Sequence, residues 1–272
     1  MEYERFERYA WDSAEKAFKD LGVDGTKRLV LVDSDCIVYP TAFSNITTQG
    51  VEAAQQAAVN KLTALLGTLP KGNDYKIVQV FTSSGSPKYR DQFIKQVPYK
   101  SNRKTSTAKP PEYVKEITEA LTEHSVSIYC DPLVGEADDY ISILAEHFAA
   151  GACIIGYDKD LLQIPGLHFR GTVNPVEVSV AQGERFLYRQ MLMGDQADNI
   201  PGLKGVGKVI ASNLIPDSVL FQHQMFDIVV KEYCKRMEGT VDEITDYLFE
   251  TANLLYLRRD FDDHWTPPII DI

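Results

Sequence analysis

The sequence predicts an α/β protein, a mostly parallel sheet covered by helices on both sides and joined to an all-helical C-terminal lobe. Three observations predict it. Up to Gly166, short continuous apolar runs alternate with segments of helical period, the pattern of strands linked by helical crossovers. Most of those runs end in, or lead directly into, acidic residues. Beyond Gly166 the alternation stops, and the apolar residues keep a helical period only.

Taken in order, Glu2–Leu21 carries Phe6, Tyr9, Ala10, Ala14, Ala17 and Phe18 at helical spacing and predicts a first helix. Arg28–Asp33 is a continuous apolar run closed by an acid and predicts a buried strand. Val51–Leu66, rich in Ala and Leu, predicts a helix, and Tyr75–Phe81 a second strand. Further strands are expected at Ser125–Cys130 and Ala152–Ile155, with a helix over Glu136–Ala149 whose apolar face is Ile141, Leu144, Ala145 and Phe148. In the lobe, Glu184–Met193 reads as a helix. A glycine turn, Gly202–Gly207, leads into a short helix that Pro216 ends, and two helices follow near Met225–Met237 and Val241–Arg259. The expected division is an α/β domain at 1–181, including a basic segment at about 86–112, and a helical lobe at 182–272 with a glycine turn at 198–211. Trp265–Ile272 contains two prolines and reads as extended against the body or loose.

With 272 residues, 44% hydrophobic and 25% charged, the chain has the make-up of a globular protein with an ample core. No apolar run approaches bilayer length, and the charged Met1–Phe18 lacks the apolar stretch of a signal peptide, so the expectation is a cytoplasmic protein with no membrane partner. Cys36, Cys130, Cys153 and Cys234 are scattered without a Cys-x-x-Cys pair, and are expected to be buried apolar residues rather than zinc ligands. The formal charge of −11 argues against a nucleic-acid partner unless the acids are clustered and the bases grouped elsewhere.

Both conditions hold along the chain. Asp33 closes the first strand, with Asp35 two residues on. Glu136, Asp138 and Asp139 open a helix; Asp158 and Asp160 follow a strand; Asp195 and Asp198 lie in Gly-Asp-Gln-Ala-Asp-Asn. Acids at a helix start are favoured by the helix dipole alone, so Glu136–Asp139 also has a capping explanation. Ligands of parallel sheets bind at the carboxyl ends of the strands, which is where these acids fall. Carboxylates gathered there need cations, and hard oxygen donors in that number suit Mg²⁺ or Mn²⁺. Two ions about 4 Å apart would activate a water and stabilise the leaving oxygen of a phosphoryl displacement.

The bases are grouped in Ser86–Glu112, with Lys88, Arg90, Lys95, Lys100, Arg103, Lys104 and Lys109 interleaved with Tyr89, Phe93 and Tyr99. That composition is either a solvated face or a surface that tracks phosphates and stacks on unpaired bases. On the second reading Lys100 and Arg103 would offset charge at the scissile phosphate. In 198–211, Gly202, Gly205 and Gly207 permit a tight turn with exposed amides, flanked by Lys204 and Lys208, which would bind phosphate without reading sequence.

In order along the chain, Leu-Val-Asp33, Tyr99-Lys-Ser-Asn-Arg103, Glu136-Ala-Asp-Asp139, Asp158-Lys-Asp160 and Gly194-Asp-Gln-Ala-Asp-Asn-Ile-Pro-Gly202 resemble the motifs of the 5′ nucleases: flap endonucleases, polymerase-associated 5′ nuclease domains and bacteriophage 5′–3′ exonucleases. Ala252–Arg259 is similar to the C-terminal helix of the small phage exonucleases. The resemblance implies a Rossmann-like nuclease domain with a helical arch and a helix–three-turn–helix element. It implies Mg²⁺-dependent (or Mn²⁺-dependent) hydrolysis of DNA from or near 5′ ends, with two ions. It makes Asp33, Glu136, Asp138, Asp139, Asp158, Asp160, Asp195 and Asp198 the metal-site acids, and Lys100 and Arg103 the arch residues at the phosphate. Lys88, Arg90, Tyr99, Lys104, Gly202, Lys204, Gly205, Gly207 and Lys208 become DNA contacts, with K⁺ at the glycine turn. The implied partner is DNA with 5′ ends or flaps, or an RNA–DNA hybrid, and the implied state a monomer. One departure stands out: many relatives carry an acid just after the second strand, where this chain has Thr82 and Ser83. Either a hydroxyl or water substitutes, or Asp35 compensates, or the ion is held more weakly.

Two other readings compete. A PIN-like single-strand ribonuclease shares the acidic sheet, but is typically much shorter and lacks the glycine turn. A catalytically silent protein that recognises branched DNA is favoured only by the missing acid after Phe81.

Overall fold

The computed structural model describes residues 8–9, 11–85, 87–101, 111–148 and 151–268. The described chain forms two compact units. The α/β unit takes the residues up to Tyr89, those from 111 to Val178, and Arg259–Asp262. The helical unit takes Arg90 to residue 101, Ser179–Arg258 and Asp263 to residue 268. Residues 90–101 of the basic segment therefore pack with the helical unit, whereas the sequence reading had kept the segment with the sheet.

In the α/β unit, β1 (Arg8–Tyr9), β2 (Arg28–Asp33), β3 (Tyr75–Phe81), β4 (Val126–Cys130), β5 (Cys153–Ile155), β6 (Gly166–Phe169) and β7 (Val176–Val178) form one sheet in the order β1-β4-β3-β2-β5-β6-β7. Every pairing is parallel except β6 with β7. The helices are α1 (Ala14–Leu21), α2 (Asp35–Ala42), α3 (Val51–Leu66), α4 (Val114–Thr122) and α5 (Ala137–His147). β2 is buried from Leu29 to Asp33, as a central parallel strand covered on both faces must be. Val30 and Val32 share a core with Ala54, Ala58, Leu62 and Leu65 of α3 and Ile117 and Leu121 of α4. Leu29 and Leu31 alternate to the other face, where α5 packs against β2.

Two expectations are corrected here. Among the described residues of Glu2–Leu21 only Ala14–Leu21 is helical: the extended Ser13 caps it by accepting the Lys16 N–H, Gly22 closes it at φ 63, and Arg8–Tyr9 instead pairs with Tyr129–Cys130. Strand alternation also does not stop at Gly166, because β6 and β7 extend the sheet there, the second as an antiparallel edge. Both strands are too short for a pattern of period two to be seen.

The helical unit holds α6 (Val180–Met193), α7 (Lys208–Leu214), α8 (Gln222–Arg236), α9 (Val241–Leu255) and a small antiparallel ribbon of β8 (Gly194–Asp195) with β9 (Ile200–Pro201). α6 begins four residues before the expected start because Ser179 and Gln182 form a capping box. α9 ends at Leu255, and residues 256–258 beyond it run without regular structure. Its core joins Leu187, Met191, Val229, Tyr233, Leu248 and Trp265. Trp265 is buried, so the start of the tail is packed rather than loose. No described helix is long and apolar enough to cross a membrane. Cys130 and Cys153 are buried as expected, while Cys234 is exposed.

Candidate active site

The carboxyl ends of β2, β4 and β5, and the helix starts that follow them, carry the acids of the α/β unit. Asp33 is the last residue of β2, and Asp35 opens α2 after a one-residue turn. Burial strips the Asp33 carboxyl of water, and Asp35 and Asp158 repel its charge, so its pKa is pushed up to about 8. Burial also raises Asp35, to about 6, although hydrogen bonds from Thr82 oppose the shift. Gly156, just after β5, lies flat against this strand end: a Cβ there would come within 2.6 Å of Leu161 and 3.1 Å of the Asp33 Cβ.

The second group sits at the start of α5. Glu136 is bound by Lys88, whose Nζ lies 2.6 Å from its carboxylate. Asp139 is fully buried and accepts the Glu136 N–H at 3.0 Å, so its carboxylate caps the helix. Asp138 is half-buried and accepts the Asp139 N–H at 2.9 Å. The buried Cys130 thiol, at the end of β4, is held well above its ordinary pKa by burial and then by Asp35, Asp139, Asp138 and Glu136. Four carboxylates from α2 and α5 thus surround the end of one strand.

Thr82 joins the two groups. Its N–H donates to both oxygens of Asp35 at 3.3 and 3.4 Å, and its hydroxyl accepts the Ala137 N–H at 2.9 Å. Asp35 therefore stands at the place where the sequence lacks an acid, a contribution that spacing along the chain could only offer as one alternative.

The third group follows β5. Asp158 is exposed and accepts the Asp160 N–H at 2.9 Å, and Asp160 lies 3.5 Å from Lys159 Nζ. Arg170, from the end of β6, donates to the Tyr157 carbonyl at 2.6 Å and the Asp158 carbonyl at 2.9 Å. No motif marked Arg170 or Tyr157, because both act on this loop from positions that carry no acid or glycine signature. Among the described residues no three His, Cys, Asp or Glu side chains are close enough to clasp a single ion.

The helical unit carries the remaining acids. Asp195 is buried in the β8–β9 ribbon, where it accepts the Ala197 N–H at 2.8 Å. Asp198 accepts the Lys100 N–H on its carbonyl at 2.7 Å and pairs with Lys100 Nζ at 3.6 Å. Asn199, in the left-handed region at φ 56, donates to the Pro98 carbonyl and the Ser101 hydroxyl at 2.8 and 2.7 Å. This acidic motif thus anchors the basic segment.

Three of the expected DNA contacts also have packing roles. Arg90 is buried and donates to the Tyr256 carbonyl at 3.1 Å, so it holds the lobe together. Tyr99 packs against the helical core and lies beneath Lys100 Nζ, 4.8 Å from its ring centre. Gly202 is needed for close approach: a Cβ there would sit 2.1 Å from the Met193 carbonyl carbon. Lys204, Gly205, Gly207 and Lys208 do form an exposed turn at the start of α7, with Gly205 at φ 78. Arg103, Lys104 and Lys109 lie outside the described residues.

Residues 28–184 match the model of a family described as 5′–3′ exonuclease, N-terminal resolvase-like domain. The chain belongs to this 5′–3′ exonuclease family. The chain is similar to DNA polymerase I of Bacillus subtilis, 25% identical over 86% of this chain and 28% of its own length. The 5′–3′ exonuclease of Buchnera aphidicola is 27% identical over 66% of this chain and 67% of its own length. DNA polymerase I of Pseudomonas aeruginosa is 30% identical over 69% of this chain and 22% of its own length. The chain thus spans less than a third of the polymerases it matches. The fold is shared with a T5 protein crystallised with metal ions (TM-score 0.56, 19% identity, 84% of this chain and 89% of that one). It is shared too with the bacteriophage T5 flap endonuclease in a pseudo-enzyme-product complex with DNA and metal ions (TM-score 0.51, 18% identity, 83% of this chain and all of that one). The 5′–3′ exonuclease match spans β2 to the first turns of α6, so it contains the acidic strand ends and leaves the glycine turn outside.

Proposed function

We propose that this member of the 5′–3′ exonuclease family is a divalent-metal-dependent nuclease that hydrolyses DNA from or near 5′ ends, trimming ends and cutting flaps. The observation that carries the reading is the state of Asp33 and Asp35. The buried Asp33 at the end of β2 and the half-buried Asp35 at the start of α2 are driven above their ordinary pKa by loss of water and by other acids. Such a group is ionised at neutral pH when a cation compensates it.

The donors fit a hard divalent cation, since every candidate is a carboxylate oxygen. Mg²⁺ keeps several of its waters when bound, and Mn²⁺ would be able to replace it. Asp33, Asp35, Glu136, Asp138, Asp158 and Asp160 would hold the ions, two in number, and Asp195 and Asp198 belong to the same proposal. Bound there, the ions would supply an activated water and neutralise charge on the leaving oxygen.

The chain's own residues set that chemistry up. Thr82 holds Asp35 in place through its main-chain N–H, and Asp139 fixes the helix start that carries Glu136 and Asp138. Lys88 offsets Glu136 before any ion arrives. Lys100 and Arg103 would face the scissile phosphate, and the exposed Lys204 and Lys208 with the Gly205 and Gly207 amides would grip backbone phosphates, K⁺ included at that turn. DNA as substrate is supported by the T5 flap endonuclease complex with DNA and by the named exonuclease and polymerase relatives. An RNA–DNA hybrid as a second substrate and a monomeric state are part of the proposal.

The test is cleavage of a 5′-labelled duplex bearing a 5′ flap, in Mg²⁺, Mn²⁺ and chelator, for the wild type and Asp158→Asn. Metal-dependent release of short 5′ products, lost in the variant, is the expected result. Thr82 at the acid position favours the second reading, a silent DNA-binding protein of the same fold. Tight binding without cleavage in either metal would establish that reading instead.

A further inference from the structure

Beside Asp158 the structure holds an aromatic ring that the proposed chemistry does not use. Tyr157 is 43% exposed at the carboxyl end of β5. Three contacts fix it. Lys61 of α3 places its Nζ 5.3 Å from the ring centre. The hydroxyl edge lies against Gly171, where a Cβ would stand 2.6 Å from the Tyr157 hydroxyl and 3.0 Å from its Cε1. The main chain is held as well, since Arg170 donates to the Tyr157 carbonyl at 2.6 Å.

Lys61 donates to the Cys36 carbonyl at 2.8 Å, and Arg170 donates to two carbonyls. Those bonds orient the cations without neutralising them. In a chain of formal charge −11, two such cations flank one exposed ring next to the acidic strand ends. A solvated aromatic costs free energy where it serves no core, and here a glycine at φ 77 is needed to make room for it. With the ammonium over the ring and 43% of the residue exposed, ring surface is open to another flat group. Stacking is tolerant of base identity, and flanking cations suit the phosphates on either side.

We propose that Tyr157, flanked by Lys61 and Arg170, is a stacking site for an unpaired nucleobase of the substrate, next to Asp158. The assignment rests on the nuclease reading for its substrate class and adds to it a specific contact with single-stranded DNA. Duplex DNA, whose bases are already stacked, does not satisfy the ring.

The test is equilibrium binding in chelator, where no cleavage occurs, of a duplex with a 5′ single-stranded tail carrying 2-aminopurine at successive tail positions. Wild type is expected to quench the emission at one tail position. Tyr157→Phe keeps the ring, the affinity and the quench. Tyr157→Ala loses the quench and weakens binding about tenfold, with the salt dependence unchanged because no charge is removed. Blunt duplex is expected to bind all three proteins equally. Binding by wild type that Tyr157→Ala leaves unaltered overturns this assignment alone, as does a loss of the quench equal in Tyr157→Phe and Tyr157→Ala. Failure of wild type to bind any of these DNAs overturns it together with the nuclease reading.

Discussion

The Asp35 carboxylate accepts the main-chain N–H of Thr82, at 3.3 and 3.4 Å, while the Thr82 hydroxyl accepts the N–H of Ala137 at 2.9 Å. A residue that takes the place of an acid thereby ties the start of α2 to the start of α5, the two helices that present most of the carboxylates. Thr82→Val keeps the volume and the main-chain donor but leaves the Ala137 N–H without its acceptor. It is expected to lower kcat about tenfold with little change in KM, since small displacements of reacting groups are costly. Thr82→Asp supplies an acceptor and a carboxylate together, and is expected to lower the Mg²⁺ concentration for half-maximal cleavage. Identical metal titrations for all three proteins would show that this position has no bearing on the ion.

Asp33 should cost stability in the metal-free protein. Its folded pKa, about 8, is above its ordinary value of 3.8, chiefly through burial. The sign follows from linkage: the contribution is most favourable below the unfolded value and is lost as pH rises through the folded one. In chelator at about pH 8.5, Asp33→Asn is therefore expected to melt about 3 °C above wild type. Added Mg²⁺ should raise the melting temperature of wild type and leave that of the variant nearly unmoved. A variant that melts lower in chelator would contradict the account of Asp33 as a destabilised charge.

His168 lies in β6, buried, with its Nε2 bonded to the Ile164 carbonyl at 2.8 Å. Burial, with a smaller effect from Arg170, depresses its pKa below 6.5. The folded state thus favours the neutral ring. Its stabilisation is complete above the unfolded value and is lost as pH falls below it. Urea midpoints for wild type should drop between about pH 7 and pH 5, and His168→Gln should flatten that part of the curve. Parallel curves would place the acid sensitivity elsewhere.

Glu250, buried in α9, accepts the N–H groups of Lys95 and Val97, each at 2.7 Å, and of Gln96 at 2.8 Å. One carboxylate thus fixes the basic segment shortly before Lys100. Glu250→Gln should destabilise the protein by about 2–3 kcal/mol in urea unfolding. It should also speed hydrogen exchange at those three amides. Unchanged protection there would mean that other contacts hold the segment.

Much of the α/β unit was legible because its central strands are buried on both faces. Arg28–Asp33 holds a continuous apolar run, Tyr75–Phe81 is interrupted only by Lys76 and Gln79, and α3 has a face of small and aliphatic residues at helical spacing. The acids were legible for the same reason, since a carboxylate closing an apolar run has no packing role to explain it. β1, β6 and β7 were not, because two to four residues are too few to show a period. Arg90 illustrates the opposite failure. Its charge reads as surface, yet its guanidinium meets the carbonyl of Tyr256, a residue far along the chain.

By itself, then, the sequence determined the central strands, most of the helices and the four groups of acids beside them, because hydrophobic period and residue chemistry are local properties. Only the tertiary structure decided which groups share an environment. It brought Asp35 to Thr82, Lys88 to Glu136, and Arg170 to the loop of Tyr157 and Asp158. It also tied Asp198 to Lys100 in the helical unit. Those pairings depend on strand order and helix crossings that join residues tens of positions apart. Burial then sets the charge state of Asp33, which no distance along the chain encodes.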